Sequence, residues 1–486
     1  MASLGFSHPT PPQPYTNPLF PSWHSDLTCV YVPEQDTFFC ATSTLVAFPG
    51  LPVYAGKDLQ NWKLASNVFN RPSQIPDLRI TDGQQSGIYA PTHRYHDGIF
   101  YLIVSYLGPQ TKSLLFTLSD PFSGAAWCEP LVFSVRGIDP ELFWDDDGTV
   151  YVTSADDQQI QQCSLDLRTG ETGLMVGHAD LFYDDGDGHW WAVALSTRSG
   201  PEWKNYPMGR EMVLAAATGD EGEWPVVQPV HGQMQSPLPR PNRGIRRGDA
   251  AWINEPDEID FLTGSSIPPH LVYWRHLKPE DFTVSPAGHP RTLRLTPPFY
   301  NPTGTEDFQP DDGLTLIIRH QTDTLCAYSV IVSFNPRVAD KEAGVTVFLT
   351  QQHIDLGVVL LQSSKGLSLA FWFRVEGRGN YRDATPENTV PVPEDWQGGP
   401  IRLEIQTVND SEYVFAAAPA RHPKQRMVIG CADALIVSGD TGRFTGSLVG
   451  AYATKNGGSD STPAYISRWR YEGRGRRVDS DRVIPS

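Results

Sequence analysis

Short apolar runs, each preceded by a turn signal, recur through the first half of the chain. Three of them follow an Asp-Gly pair, at residues 97–98, 147–148 and 187–188. Asp-Gly is typical of tight hairpin turns, and the aromatic and β-branched runs after it favour strands. The second and third pairs follow the preceding one by 50 and 40 residues. Hairpins repeated at this period predict the blades of a β-propeller, with a β-sandwich containing several hairpins as the alternative.

The pattern changes in the second half, where longer runs alternate between apolar and polar positions. Residues 328–334, 367–373 and 401–405 are examples. Many such strands separated by turn-rich segments predict an antiparallel sandwich, and neither half contains an amphipathic helix of 12 or more residues. The predicted division is an N-terminal tail (1–14), a propeller (15–235), a Pro-rich linker (236–298), a sandwich (299–475) and a C-terminal tail (476–486).

The composition is that of a globular protein, and the charge limits the classes of partner that it could bind. The chain has 486 residues, of which 40% are hydrophobic and 11% aromatic, so it can bury the cores of two or three domains. Its formal net charge of −18 disfavours binding to nucleic acid or to anionic membranes, whereas a neutral ligand such as a sugar is compatible with it. No apolar run approaches the 18 residues of a membrane span.

The cysteines and the N-terminus bear on the cellular compartment. Six scattered cysteines form no C-x-x-C pair, so we expect them to be buried small hydrophobes rather than disulfides or metal ligands. The first 20 residues contain neither the basic region nor the apolar region of a signal peptide. These features predict a cytoplasmic protein.

Several common catalytic and nucleotide-binding motifs are absent from the sequence, which limits the chemistry that the protein could perform. The sequence has no phosphate loop, no G-x-S-x-G and no H-E-x-x-H motif, which removes the commonest nucleotide, serine-hydrolase and zinc interpretations. Carboxylates in aromatic surroundings remain. Rings can stack on sugar faces, and carboxyl groups can move protons and stabilise an oxocarbenium-like centre.

A series of motifs then resembles one known family. The stretch Trp-His-Ser-Asp-Leu-Thr-Cys at 23–29 resembles the W-H-P-D-P-S-C opening of family 43 glycoside hydrolases, in particular fungal proteins of the β-xylosidase and α-L-arabinofuranosidase type. These pair a five-bladed propeller with a lectin-like sandwich. Further matching motifs follow in order along nearly the whole chain, at residues 39–44, 48–54, 57–62, 86–91, 138–145, 177–181, 206–211, 319–323, 342–345 and 450–454.

The resemblance implies roles for two carboxylates. Asp26 matches the general base, which activates water on the face opposite the leaving group. Asp139 matches a second carboxylate, which raises the pKa of the general acid and orients it. Judged without the family, Asp26 would be a turn former and Asp139 a turn-capping residue before proline.

Four more residues match positions that the family uses to bind substrate. They are Phe48, Tyr89, His178 and Arg210. Tyr89 replaces a tryptophan and still offers a stacking face. His178 would otherwise be a satisfied core histidine, and Arg210 a partner of Glu211 or of another nearby acid. The resemblance implies no cofactor, although a structural calcium ion is compatible with it.

The largest departure from the family concerns the general acid. Family members carry it in an E-G-P-H motif, which occurs nowhere in this chain. Roughly 70 residues that the family has between Gly173 and Val176 are missing, more than one blade of sequence. Smaller changes place Ser25 and Leu27 at two usual prolines and Leu45 at a usual phenylalanine. We therefore expect a propeller short of about one blade, followed by the sandwich.

Three hypotheses account for this departure. The first is a family 43 hydrolase whose gene model has lost coding sequence. The second is a truncated protein that binds a glycan or another small molecule and hydrolyses it weakly or not at all. The third is an enzyme that has been repurposed to a non-sugar substrate. The sequence predicts a family 43 type glycosidase for xylose- or arabinose-containing glycans, impaired because its general acid is absent.

Overall fold

The computed structural model describes most of the chain, and everything below refers to this part. It covers residues 12–81, 86–135, 137–145, 148–156, 159–169, 181–186, 188–197, 207–219, 225–248, 250–303, 309–349, 352–364, 366–377, 388–438, 445–459, 461–479 and 482–486. Strands dominate it, and its helical segments are short 3-10 turns, as the sequence predicted. These turns are Pro33–Gln35, Pro72–Gln74, Pro76–Ile80, Gly124–Ala126, Pro279–Asp281, Pro310–Asp312, Glu394–Trp396 and Ala434–Val437. None of the helices in these ranges is long and apolar enough to cross a membrane.

The N-terminal strands form a propeller with four blades. In chain order they are β1 (Gln13–Thr16), β2 (Ser25–Val32), β3 (Thr37–Ser43), β4 (Ala47–Phe48), β5 (Gly50–Gly56), β6 (Trp62–Phe69), β7 (Gly87–His96), β8 (Ile99–Leu107), β9 (Lys112–Leu118), β10 (Leu131–Phe133), β11 (Ile138–Trp144), β12 (Val150–Asp156), β13 (Gln159–Ser164), β14 (Leu181–Asp184), β15 (His189–Thr197), β16 (Arg210–Thr218), β17 (Val226–Val227) and β18 (Gln233–Ser236). The blade sheets are β2-β3-β5-β6, β7-β8-β9-β10, β11-β12-β13 and β14-β15-β16-β17. Strand β1 pairs with β18, which ties the N-terminus to the end of the propeller.

The Asp-Gly repeat marks the same place in three blades. Gly98, Gly148 and Gly188 lie in the turns between the first two strands of blades two, three and four, with φ angles of +80°, +84° and +74°. A β-carbon at Gly98 or Gly148 would meet no atom within 4 Å. The left-handed backbone of the turn, rather than crowding, therefore requires glycine at these positions. The predicted propeller is confirmed.

The remaining strands form a sandwich of two sheets, as predicted. They are β19 (Asp257–Ile259), β20 (Val272–Trp274), β21 (Phe282–Val284), β22 (Leu293–Leu295), β23 (Thr315–His320), β24 (Leu325–Ser333), β25 (Glu342–Leu349), β26 (Gln352–Ser363), β27 (Gly366–Glu376), β28 (Asn388–Pro391), β29 (Ile401–Thr407), β30 (Glu412–Pro419), β31 (Met427–Asp433), β32 (Leu448–Thr454), β33 (Ala464–Asp479) and β34 (Arg482–Ile484). One sheet has the order β21-β22-β33-β24-β29-β30-β31, with β19 and β34 also on β33. The other has the order β28-β27-β26-β25-β32-β23-β20-β4 and thus includes a propeller strand.

Two predicted boundaries were wrong. The expected linker 236–298 supplies β19, β21 and β22 to one sandwich sheet and β20 to the other, and the expected tail 476–486 contains the end of β33 and all of β34. The four strands of the linker are only three residues long. That is too short for an alternating pattern to stand out against the surrounding proline and charge.

Buried apolar clusters connect most neighbouring parts of the molecule. The largest joins blades one and two to the sandwich, a second joins blades one and four, and a third joins blades two and three. Within the described ranges no cluster joins blade three to blade four. Large apolar side chains are exposed on both blades instead, with Phe143 52%, Tyr183 40% and Trp190 48% accessible.

The expectation for the cysteines was wrong for one pair. Cys29 and Cys40 lie opposite each other on β2 and β3, with Cα atoms 4.1 Å apart, and form a disulfide. Cys163 and Cys326 are free and buried as predicted, whereas the free Cys431 is exposed. Disulfides persist mainly in oxidising compartments, so this pair does not favour the cytoplasmic location, which stays a prediction.

Candidate active site

Asp26 lies at a break in the first strand of blade one. The register between β2 and β3 shifts between Ser25 and Thr28, and Asp26 adopts a φ of +50°. A bulge of this kind turns a side chain away from the regular alternation of the strand. The carboxylate, 13% exposed, accepts a hydrogen bond from Ser43 Oγ at 3.0 Å and one from Arg210 Nη1 at 2.8 Å.

The first strands of the next two blades break in the same way. The register of β7 shifts after Tyr89, where Ala90 has a φ of +37°, and that of β11 shifts after Ile138, where Asp139 has a φ of +56°. Side chains held in sparsely populated backbone conformations cluster at functional sites. The recurrence therefore places Asp26, Asp139 and the residue after Tyr89 at equivalent breaks in three blades.

The charges around Tyr89 connect it with three of the other predicted residues. Burial raises the pKa of its phenol to about 12, and the negative charges of Asp26 and Asp139 add to the effect while Arg210 opposes it. The phenol thus lies within the electrostatic field of all three charged residues. Four of the residues singled out in the sequence are brought together.

Arg210 is the first residue of β16. Of the acids considered above as its partner, Glu211 and another nearby acid, the structure shows the second. Arg210 pairs with Asp26 rather than Glu211, and its side chain is 21% exposed. Its backbone carbonyl also accepts a hydrogen bond from the His24 N–H at 2.9 Å. Glu211 is fully buried, and its Oε1 accepts from the Ser22 N–H at 2.8 Å.

The sandwich contacts the residue just before Arg210. Gly209 has a φ of +62° and forms a backbone bridge with Thr445. A β-carbon on Gly209 would come within 2.2 Å of Gly446 N, and one on Gly446 within 2.6 Å of Met208 O. The two backbones approach so closely that neither position accommodates a side chain without displacement.

Aromatic and histidine rings pack around His24, two residues before Asp26 in the chain. His24 Nε2 lies 3.0 Å from Tyr54 Oη, and its ring is 5.9 Å from that of His320 in the sandwich. His320 in turn stacks on Trp23 at 5.4 Å. Burial lowers the pKa of His24 to about 4 and that of His320 to about 3, so both rings are neutral near pH 7.

The other two predicted substrate-binding residues are Phe48 and His178. Phe48 is only 3% exposed and packs against Phe69 and His276, so it has almost no surface left for a ligand. Its role in substrate binding stays a prediction that this burial does not favour. His178 lies outside the described residues. Ser43, in contrast, was not predicted to have a role although it lies in a motif of the resemblance, because nothing in the local pattern shows that β3 carries it to Asp26.

No metal site joins these groups in the described part of the chain. In the described ranges no three His, Cys, Asp or Glu side chains lie together in a way that could hold an ion. The calcium ion that the resemblance allows stays a prediction.

Comparison with known families agrees with this geometry. Residues 15–173 match the model of glycosyl hydrolases family 43, and residues 259–472 match that of the beta-xylosidase C-terminal Concanavalin A-like domain. The chain belongs to glycoside hydrolase family 43. As a family 43 protein, it has both domains that the two models describe, in the expected order.

Some known proteins resemble it over nearly their whole length. A non-reducing end alpha-L-arabinofuranosidase of Bacteroides ovatus is 27% identical, with 96% of this chain and 95% of that protein covered. A xylosidase/arabinosidase of Butyrivibrio fibrisolvens is 25% identical, with coverages of 91% and 96%. The structure of the Bacteroides ovatus xyloglucan PUL GH43B superposes with a TM-score of 0.78 at 23% identity, covering 95% of this chain and 100% of that one.

Proposed function

We propose that this family 43 protein is an inverting glycosidase for xylose- or arabinose-containing glycans, slowed because its general acid is absent. Asp26 acts as the general base, Asp139 as the second carboxylate, and Arg210 and Tyr89 bind the sugar. The observation that carries the proposal is the Asp26 carboxylate, held by Arg210 and Ser43 beside the Tyr89 phenol. The relatives described above support the substrate class.

An inverting displacement needs a general base and a general acid, and this site supplies the base. Asp26 takes a proton from a water molecule, whose oxygen attacks the anomeric carbon as the glycosidic bond breaks. In a complete enzyme an acid about 6.5–9.5 Å from the base protonates the departing oxygen. Without that acid the oxygen leaves as an anion or takes its proton from water, so a sugar alcohol leaves slowly.

Three observations support a missing segment. The match to the family 43 model ends at residue 173, where the sequence departs from the family pattern. The alignment with the Bacteroides arabinofuranosidase spans 544 positions, more than the 486 residues of this chain. Phe143 of blade three and Tyr183 and Trp190 of blade four are exposed on the two blades that such a segment would separate.

A second candidate is a glycan-binding protein without turnover. Two features together favour this candidate. The groups that would hold a sugar are present, and the E-G-P-H motif that carries the general acid is absent from the sequence. Sequencing the transcript across codons 173–177 separates both candidates from an incorrect gene model. An in-frame E-G-P-H motif in the transcript would remove the reason for expecting impaired turnover.

The leaving group provides the test of the proposed mechanism. We expect 2,4-dinitrophenyl β-xyloside, whose phenolate leaves without a proton, to react at least about 100-fold faster than xylobiose, measured as kcat/KM. A complete relative assayed in parallel should give a smaller ratio, because its acid assists the poor leaving group. Equal ratios in the two proteins would contradict an absent acid, and binding of xylose without any turnover would favour the second candidate.

The glycine contact between the domains leads to a further prediction. We expect Gly446→Ala to lower kcat/KM on the dinitrophenyl xyloside by about 10- to 100-fold, because the new methyl group displaces residues 208–209 and with them Arg210. Gly399→Ala is the control, since its β-carbon would meet only one atom within 4 Å, at 3.8 Å. Equal rates for the two variants would argue against this coupling of the sandwich to the site.

A further inference from the structure

Three hydrogen bonds join the segment that carries the base to the segment that carries Arg210. Ser22 N–H donates to Glu211 Oε1, His24 N–H donates to Arg210 O, and Arg210 Nη1 donates to Asp26 Oδ1, over 2.8, 2.9 and 2.8 Å. On the segment that carries the base, these contacts involve every second residue: Ser22, His24 and Asp26. The two segments therefore lie side by side up to the Asp26 carboxylate.

Glu211 is an unusual residue for this place. Its side chain is completely buried, and burying a carboxylate is costly unless hydrogen bonds compensate for the lost water. The Ser22 N–H that it accepts from belongs to a residue with a φ of +82°, a conformation that non-glycine residues rarely adopt. The Glu211 carboxylate thus accepts from an amide held in a rare backbone conformation at the start of the base-bearing segment.

Glu211 acts at a distance from the reacting atoms. Successive side chains of a strand point to opposite faces, so Arg210 and Glu211 leave β16 in opposite directions. Arg210 reaches Asp26, whereas Glu211 reaches the backbone at Ser22. A sugar at Asp26 would therefore contact the arginine and not the glutamate.

We propose that Glu211 is a positioning residue, which fixes the segment around Ser22 and so holds Asp26 within hydrogen-bond distance of Arg210. The proposal rests on the proposed function for its effect on rate. Its structural part, the Arg210–Asp26 separation, is independent of turnover.

The test compares three substitutions at Glu211. Glu211→Ala removes the acceptor, Glu211→Gln keeps an oxygen that can accept from the Ser22 N–H, and Glu211→Asp withdraws the carboxylate by one methylene. In crystal structures we expect Arg210 Nη1 and Asp26 Oδ1 to separate beyond hydrogen-bond distance in the Ala and Asp variants and to stay together in the Gln variant. On the dinitrophenyl xyloside, kcat/KM should fall about 10- to 100-fold for Ala, less for Asp, and no more than a few-fold for Gln.

The outcomes separate positioning from general damage. Glu404→Ala, which removes another buried glutamate on the far sheet of the sandwich, should lower the melting temperature but leave kcat/KM unchanged. If Glu211→Ala does not fold, the Asp variant decides. An intact Arg210–Asp26 bond in the variants that lose the acceptor, or a Gln variant as slow as Ala, would overturn the proposal. Absence of any Asp26-dependent turnover in the wild type would instead refute the proposed function, and the crystal structures would still decide the role of Glu211.

Discussion

Asp26→Asn should lower kcat/KM on 2,4-dinitrophenyl β-xyloside by about 10²- to 10⁴-fold, the usual effect of losing a general base. This substrate needs no acid, so the loss of the base is measured without interference from the missing motif. The amide has nearly the shape of the carboxylate but cannot take a proton from water. The binding of xylose, measured by calorimetry, should change far less than the rate.

Two controls distinguish a base from a structural acid. Asp36→Asn alters an acid in the same blade whose side chain is 71% exposed, and it should leave the rate unchanged. Azide, which attacks without losing a proton, should restore turnover to Asp26→Ala and yield a glycosyl azide. A variant of Asp26 that keeps a tenth or more of the wild-type rate would contradict its assignment as the base.

The protein should lose several kcal/mol of folding free energy between pH 6.5 and pH 4. His24 and His320 have folded-state pKa values of about 4 and about 3, below the value near 6.5 in an unfolded chain. As the pH falls through this window, the unfolded chain binds protons that the folded protein excludes, so stability is lost on acidification. At about 1.4 kcal/mol per unit of pKa difference, each histidine contributes on the order of 3 kcal/mol at pH 4.

Unfolding by urea at several pH values provides the measurement. His320→Phe keeps a ring that can stack on Trp23 but cannot be protonated, so its free energy of unfolding should depend less steeply on pH. His422→Phe, at an exposed position, should retain the wild-type slope. Equal slopes for all three proteins would show that His320 does not contribute to the acid sensitivity.

The parts of the fold that were predictable are those that depend on local chemistry. The Asp-Gly turns identified the blades because a left-handed glycine is required wherever this hairpin forms, whatever surrounds it. The short strands of residues 236–298 could not be predicted, because three residues are too few to show a pattern and three of the four strands pair with strands outside the segment. The Cys29–Cys40 disulfide joins two adjacent strands but depends on the exact register between β2 and β3, which the apolar pattern does not specify.

For the site, the resemblance supplied what local pattern could not. Judged locally, Asp26 is a turn-forming residue, and the structure does place it in a left-handed bulge. The local and the functional descriptions therefore apply to the same feature, since the bulge directs the carboxylate to Arg210. Phe48 shows the opposite case, because its position in a matching motif gave no information about its burial in the core.

The strand β4 gives the molecule a property that neither domain has separately. Ala47 and Phe48 belong by sequence to the propeller, yet they pair with Tyr273 and Trp274 and complete a sandwich sheet. A recombinant fragment cut between the domains would leave that sheet without its last strand and the propeller with an apolar strand exposed to water. Evolution by module shuffling is therefore restricted here: a propeller and a sandwich from different parents could be exchanged only together with a matching strand from each.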